Sequence, residues 1–98
     1  MRGSRPINHW PSAERPRERL IELGASALSD AQILAILLRT GERGVSALDL
    51  AISLIDKFGG FSGIESASVT ELCDLKGVGP AKAAQIKAAI KVARRLGR

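Results

Sequence analysis

The stretch Leu72-Cys73-Asp74-Leu75-Lys76-Gly77-Val78-Gly79-Pro80-Ala81-Lys82-Ala83-Ala84-Gln85-Ile86 decides how the rest of the chain is read. A short apolar helix runs into Lys-Gly-Val-Gly-Pro, and a long helix rich in Ala and Lys leaves it. Leu72, Leu75, Val78, Ala83 and Ile86 are the apolar positions that lock such a pair of helices together. Gly77 and Gly79 admit the positive φ values of a tight turn and leave main-chain N–H groups uncovered by Cβ atoms. Pro80 has no N–H and a φ preset near the helical value, so it fits the first turn of the second helix. That helix therefore begins with bare amides facing outward, a seat for an anion such as a phosphate oxygen. Lys76 and Lys82 add positive charge on either side. A ligand-free turn between two packed helices is the alternative reading of the same residues.

With Ala83 four residues beyond Gly79, the pattern resembles the helix-hairpin-helix motif, which binds the DNA backbone in repair and recombination proteins. The resemblance implies a motif over about 69–95. It also implies DNA-phosphate contacts at Lys76, Gly77, Val78, Gly79, Ala81, Lys82 and Lys87. No side chain is placed to read base edges, so the expected binding is indifferent to sequence. No cofactor is expected; some members of the motif class hold a monovalent cation on the hairpin carbonyls, and that ion is the one candidate.

The composition agrees with a helical architecture. The chain has 98 residues, 45% of them hydrophobic, yet only two Phe and one Trp supply aromatic bulk. A core must then be assembled from Leu, Ile, Val and Ala on closely packed helices, which predicts an all-α, compact five- or six-helix bundle. No apolar run reaches the ~18 residues of a membrane span, and no signal-peptide pattern is visible. A single cysteine forms no internal disulfide, so a cytoplasmic setting without a membrane partner is the expectation. The formal net charge of +5 is unevenly placed. Residues 1–70 carry eight basic and eight acidic side chains, whereas 71–98 carry seven basic against Glu71 and Asp74. The excess lies in and after the glycine turn and points to a polyanion reached from one side.

Outward from that stretch, residues 1–10 read as a flexible N-terminal segment and 11–98 as a helical domain. Ile7 and Trp10 are placed to fold back over the core. Pro16 opens a helix carrying Leu20, Ile21 and Leu23 that stops at Gly24. Arg15, Arg17 and Arg19 each have a nearby glutamate and are expected to form a salt-bridged surface. Ser29 caps a helix over 30–39, apolar around most of its circumference and so expected at the centre of the bundle. Ser46 caps another, running to about 58, with Leu48, Ala51, Ile52 and Ile55 as its apolar stripe and Gly59-Gly60 as its stop. A short connector over 61–67 is held by Phe61 and Ile64. Ser68 and Glu71 have capping-box spacing and start the first hairpin helix. The second runs from 80 to about 96, with Ala83, Ile86, Ala89, Ile90 and Ala93 on one face.

The order helix, Thr-Gly-Glu-Arg-Gly turn, helix, connector, helix, Gly-Val-Gly turn, helix contains an internal echo. It resembles tandem helix-hairpin-helix (SAM-like) domains, whose paired hairpins reach both strands across a minor groove. Arg43 and Gly44 are then the candidate second hairpin, although that turn is longer, lacks Gly-x-Gly and contains Glu42; a structural turn is the equal alternative. More widely, Trp10-Pro11, Arg15-Pro16-Arg17-Glu18, Leu28-Ser29-Asp30, Leu37-Leu38-Arg39-Thr40-Gly41, Phe58-Gly59-Gly60 and 75–83 resemble the N-terminal region of bacterial RadC-type DNA repair proteins. Longer members of that family continue into a JAB/MPN-type metal-binding domain, so a downstream domain of that kind is the implied covalent partner. Its His-x-His motif is absent here. One His and one Cys assemble no zinc site, and no base accompanies Cys73, so neither metal nor catalytic residues are expected in this segment. A monomer is expected. The rival reading is a protein-interaction or dimerisation module that positions the JAB/MPN domain.

Overall fold

The computed structural model describes residues 15–41 and 44–97. The expected flexible start over 1–10, with His9 and Trp10, and the candidate Arg43 lie outside the described residues.

Among the described residues six α-helices form in the order α1 (Pro16–Leu23), α2 (Asp30–Leu38), α3 (Ala47–Phe58), α4 (Phe61–Ser66), α5 (Val69–Cys73) and α6 (Pro80–Gly97), with a 3₁₀ turn at Ala25–Ala27. Their starts follow from local chemistry. Ser29 Oγ accepts from the Gln32 N–H at 3.1 Å while Gln32 Oε1 accepts from the Ser29 N–H at 2.8 Å. Ser68 and Glu71 form the same reciprocal pair ahead of α5, at 2.8 and 3.0 Å. Ser46 Oγ takes the Asp49 N–H at 3.0 Å ahead of α3. Each bond satisfies an amide that has no partner within its own helix.

The bundle is centred on α2, which packs on α1, α3 and α6, while α3 also packs on α4 and α5 on α6. Leu34 and Leu38 of α2, Leu54 of α3, Ile64 of α4, Leu72 of α5 and Ile86 of α6 are the large side chains almost fully withdrawn from water. Ala51 and Ala83 let the helices approach closely between them.

One expectation about the core changes. On α3 the buried face is Leu50, Ala51 and Leu54, whereas Ile52 lies 43% exposed and Leu48 and Ile55 are only half-buried. Both stripes have three- and four-residue spacing and share Ala51; the positions of α2 and α4 on either side of α3 select between them. On α1, Ile21 and Leu23 point to solvent. The salt-bridged surface expected there is also not seen for Arg17 and Arg19, which pair with no acidic group among the described residues. The Arg19 Nε is buried without a hydrogen-bond partner among the described residues.

Gly59 takes the left-handed conformation, φ 83° and ψ 37°, that ends α3, and α4 then doubles back so tightly that Gly63 lies on the Phe58 carbonyl. A Cβ at Gly63 would overlap that oxygen, so Gly63→Ala must push α4 off the end of α3. The expected cost is about 1–2 kcal/mol, read as a lower midpoint in chemical denaturation with an unchanged slope.

Candidate functional site

The chain leaves α5 through residues 74–79. The Val78 N–H donates to the Leu75 carbonyl at 3.0 Å, and the Ala83 N–H donates to the Gly79 carbonyl at 3.0 Å, which is the first bond of α6. The Val78 side chain is 4% exposed and anchors the turn in the core, so neither its side chain nor its amide faces outward. Gly77 has φ 98°, a value that suits glycine. Gly79 does not share it, contrary to the expectation that both glycines serve the turn's conformation. A Cβ at Gly79 would meet nothing within 4 Å. Neither backbone nor packing therefore requires glycine at that position; what glycine supplies is an uncovered outer face.

The main-chain N–H groups of Gly77, Gly79, Ala81 and Lys82 have no acceptor among the described residues, and Gly79, Pro80 and Ala81 are exposed. They sit at the positive end of an 18-residue helix with no acidic residue in its first turn. Lys76 is exposed beside them. Chemically, unpaired amides at a helix start suit an anion, with no side chain required.

The remaining cations expected at the site are engaged within the fold. Lys82 Nζ lies 3.3 Å from the Leu38 carbonyl and 3.3 Å from Thr40 Oγ1. Lys87 Nζ turns away from the glycine turn and donates to the carbonyls of Glu65 and Ala67 at 2.6 Å each, with Ile64 at 3.5 Å. Gln85 Nε2 donates to the Leu37 carbonyl at 3.0 Å. Thus α6 caps the C-terminal ends of α2 and α4, where unpaired carbonyls and the negative end of the helix dipole favour a cation. Arg94 continues the tie to α4 through the Glu65 carboxylate, whose hydrogen bond first and charge second hold the guanidinium above its ordinary pKa.

Lys82 also sets the turn after α2 next to the glycine turn. There Arg39 adopts φ 70° and ψ −52°, and the Thr40 N–H donates to the Leu38 carbonyl at 2.7 Å. This is a γ-turn of the rare positive-φ kind. Gly44 is exposed at the far side of the same turn. The sequence reads Thr40–Gly44 as the turn, and nothing in Leu-Arg-Thr marks Arg39 as the residue that turns. The contacts of Gln85 and Lys82 to α2 likewise have no signal in the spacing of α6 itself.

Among the described residues no three His, Cys, Asp or Glu side chains are grouped to hold a metal ion. Cys73 is a half-buried free thiol. No helix among them is long and apolar enough to cross a membrane.

A family model described as UPF0758 N-terminal matches residues 7–84. The chain is 55% identical over 89 residues to a UPF0758 protein of Nitrosomonas europaea, a match covering 91% of this chain and 40% of that protein. It is 50% identical over 93 residues to one of Geotalea uraniireducens, covering 93% and 41%. A UPF0758 protein of Coprothermobacter proteolyticus is 52% identical over 90 residues, covering 92% and 38%. The chain thus spans about two fifths of the length of the curated relatives it matches. No solved structure matches it.

Proposed function

The chain belongs to the UPF0758 N-terminal family, and on that footing we propose that it binds the phosphate backbone of DNA, without regard to sequence, through the start of α6. The observation that carries this is the exposed stretch Gly79–Ala81, where the amides of Gly79 and Ala81 have no acceptor among the described residues and the fold itself does not need the glycine. A phosphate oxygen on the amides of Gly79, Ala81 and Lys82 gains the helix dipole, and Lys76 adds longer-range attraction. Lys87 has no part in this contact, because its ammonium serves α4. The RadC-type resemblance supplies the biological setting, DNA repair, in which this segment delivers a longer chain and its JAB/MPN-type domain to DNA.

Affinity for duplex DNA is expected on the order of 10⁻⁴ to 10⁻⁶ M at physiological salt, the range of sequence-independent contacts. Gly79→Glu tests the site without disturbing the fold: the new side chain enters open space, and a carboxylate at a helix start is favourable. The expected result is an unchanged melting temperature and at least roughly tenfold weaker binding, 1.4 kcal/mol or more, in a fluorescence-anisotropy titration. Equal binding by the two proteins would remove the glycine turn from the account.

One observation favours the protein-interaction reading. The far half of α6 leaves Val92 and Leu96 59% and 73% exposed, and the same half of the helix borders an apolar groove of about 710 Å³ walled by Ile33, Leu37, Phe61 and Ile90. This surface belongs to the opposite end of α6 from the glycine turn, so the two readings assign separate surfaces. Sedimentation of the free chain at increasing concentration separates them, since a dimer through α6 would gain mass whereas a DNA-binding monomer would not.

A further inference from the structure

We propose that the apolar groove along the far half of α6 is the seat of the chain that follows this segment in the full-length protein, which folds back to lay apolar side chains against α2, α4 and α6. That the groove is an interaction surface carries over from the protein-interaction reading above; its occupant is new, and the DNA contact at the other end of α6 is independent of it. The buried residues of α6, Ala83 and Ile86, lie in its first two turns. From residue 91 to residue 97 every position is exposed, Val92 and Leu96 among them. Two turns of helix packed on so little gain little stability in water by themselves. Ile33, Leu37, Phe61 and Ile90 wall the groove and are only half-buried. Leu37, Phe61 and Ile90 also pack on the core, so the groove continues the core into a stretch that the described residues leave open to water.

The occupant follows from where α6 leads. The match to the N-terminal family ends at residue 84, inside α6, so the far half of the helix runs on past the family unit. About three fifths of each curated relative lies outside the stretch that this chain matches, and the N-terminal description places that remainder after it. Gly97, at the end of α6, lines the groove with Ala93 and Arg94, so a following segment starts at the rim. A segment tethered there meets the groove at an effective concentration on the order of millimolar, which keeps even a weak apolar contact occupied. Charge disfavours the other ready occupant, a second copy. Lys91, Arg94 and Arg95 lie on this half of α6, and no acidic residue follows Asp74. Glu65, the one carboxylate in the groove walls, is already paired with Arg94. Two copies joined here would set two basic helices side by side with no carboxylate of the groove left to offset them. The surface instead selects apolar side chains with a neutral or acidic flank.

The test compares methyl spectra of the 98-residue chain with those of the full-length protein, each at low and at high concentration. Ile33 and Leu37 are the deciding reporters, because only a chain that folds back reaches α2, whereas a helix that merely continues does not. Their resonances, with those of Ile90, are expected to shift in the full-length protein by the same amount at both concentrations, while the core methyls of Leu34, Leu54 and Leu72 coincide. Ala93→Arg sets a long cation over the groove at an exposed position. Arginine is a good helix former and a cation suits the C-terminal end of a helix, so α6 itself is not weakened. When both proteins carry Ala93→Arg, the difference at Ile33 and Leu37 is expected to be lost. Lys91→Ala, outside the groove walls, should leave it in place.

Shifts confined to Val92 and Leu96 mean that the helix only extends, and they overturn the docking. Shifts at Ile33 and Leu37 that grow with concentration, with a doubled mass in sedimentation, make a second copy the occupant; the proposal then falls and the interaction reading stands. Groove methyls of the 98-residue chain that move when residues 1–14 are removed assign the groove to that segment, with the same consequence. Identical spectra at every concentration, unmoved by that removal, overturn both the occupant and the interaction reading.

Discussion

Leu54→Ala should lower the stability of the chain by about 3 kcal/mol, while Ile52→Ala, two residues away on the same helix, should cost less than about 1 kcal/mol. Leu54 is fully buried where α3 faces its neighbours, and shortening it leaves a void bordered by side chains of other helices that cannot all close in. Ile52 is 43% exposed, so its truncation opens no cavity. For a chain of this size each kcal/mol corresponds to about 4–8 °C, so the Leu54 variant should melt about 15 °C lower and the Ile52 variant within a few degrees of the wild type. Differential scanning calorimetry reads both. Equal effects at the two positions would mean that α3 is rotated about its axis relative to the packing described, and that the Leu48-Ala51-Ile52-Ile55 stripe faces inward after all.

That pair of residues shows what the sequence makes legible and what it does not. Helix starts are written in single side chains: Ser29, Ser46 and Ser68 each cap a helix, because the cap bond is made within four residues of chain. The stops at Gly24 and Gly59 are local in the same way. The hairpin core of Leu72, Val78, Ala83 and Ile86 is also local, since the turn itself brings the two helices together, and all four are buried. Which face of α3 turns inward is not local. Two stripes of similar hydrophobicity exist on one helix, and only the arrival of α2 and α4 from elsewhere in the chain decides between them. The exposed Ile21 and Leu23 make the same point for α1.

The candidate site divides along the same line. The start of α6 at Pro80 and the exposed residues Gly79 and Ala81 beside it follow from Gly-Pro at a helix start. The destinations of the lysines do not follow from helical spacing, because Lys82 and Lys87 are satisfied by carbonyls that are 44 and 20–23 residues distant in sequence. A basic face on a helix reads as a solvent or ligand face until the C-terminal end of another helix is placed beneath it. Arg39 reverses the case: an unremarkable arginine in the sequence becomes, through its positive φ, the residue that turns the chain after α2.

Lys87→Met is expected to separate folding from binding. Methionine keeps much of the aliphatic stem but removes the ammonium, and the carbonyls of Glu65 and Ala67 then lose charge-assisted bonds of 2.6 Å each at the end of α4. Hydrogen bonds to a charged group contribute about 1.5–3 kcal/mol each where water replaces them poorly. Lys87 is half-buried, so water recovers part of that, and the net loss should be about 2–3 kcal/mol, or a melting temperature about 10–20 °C lower. Measured well below the lowered melting temperature, duplex binding should keep its salt slope within error, because this ammonium is not among the charges facing the polyanion. A slope shallower by about 0.9 with unchanged stability is the opposite pattern, and it would return Lys87 to the phosphate contacts that its place on a basic helix first suggested.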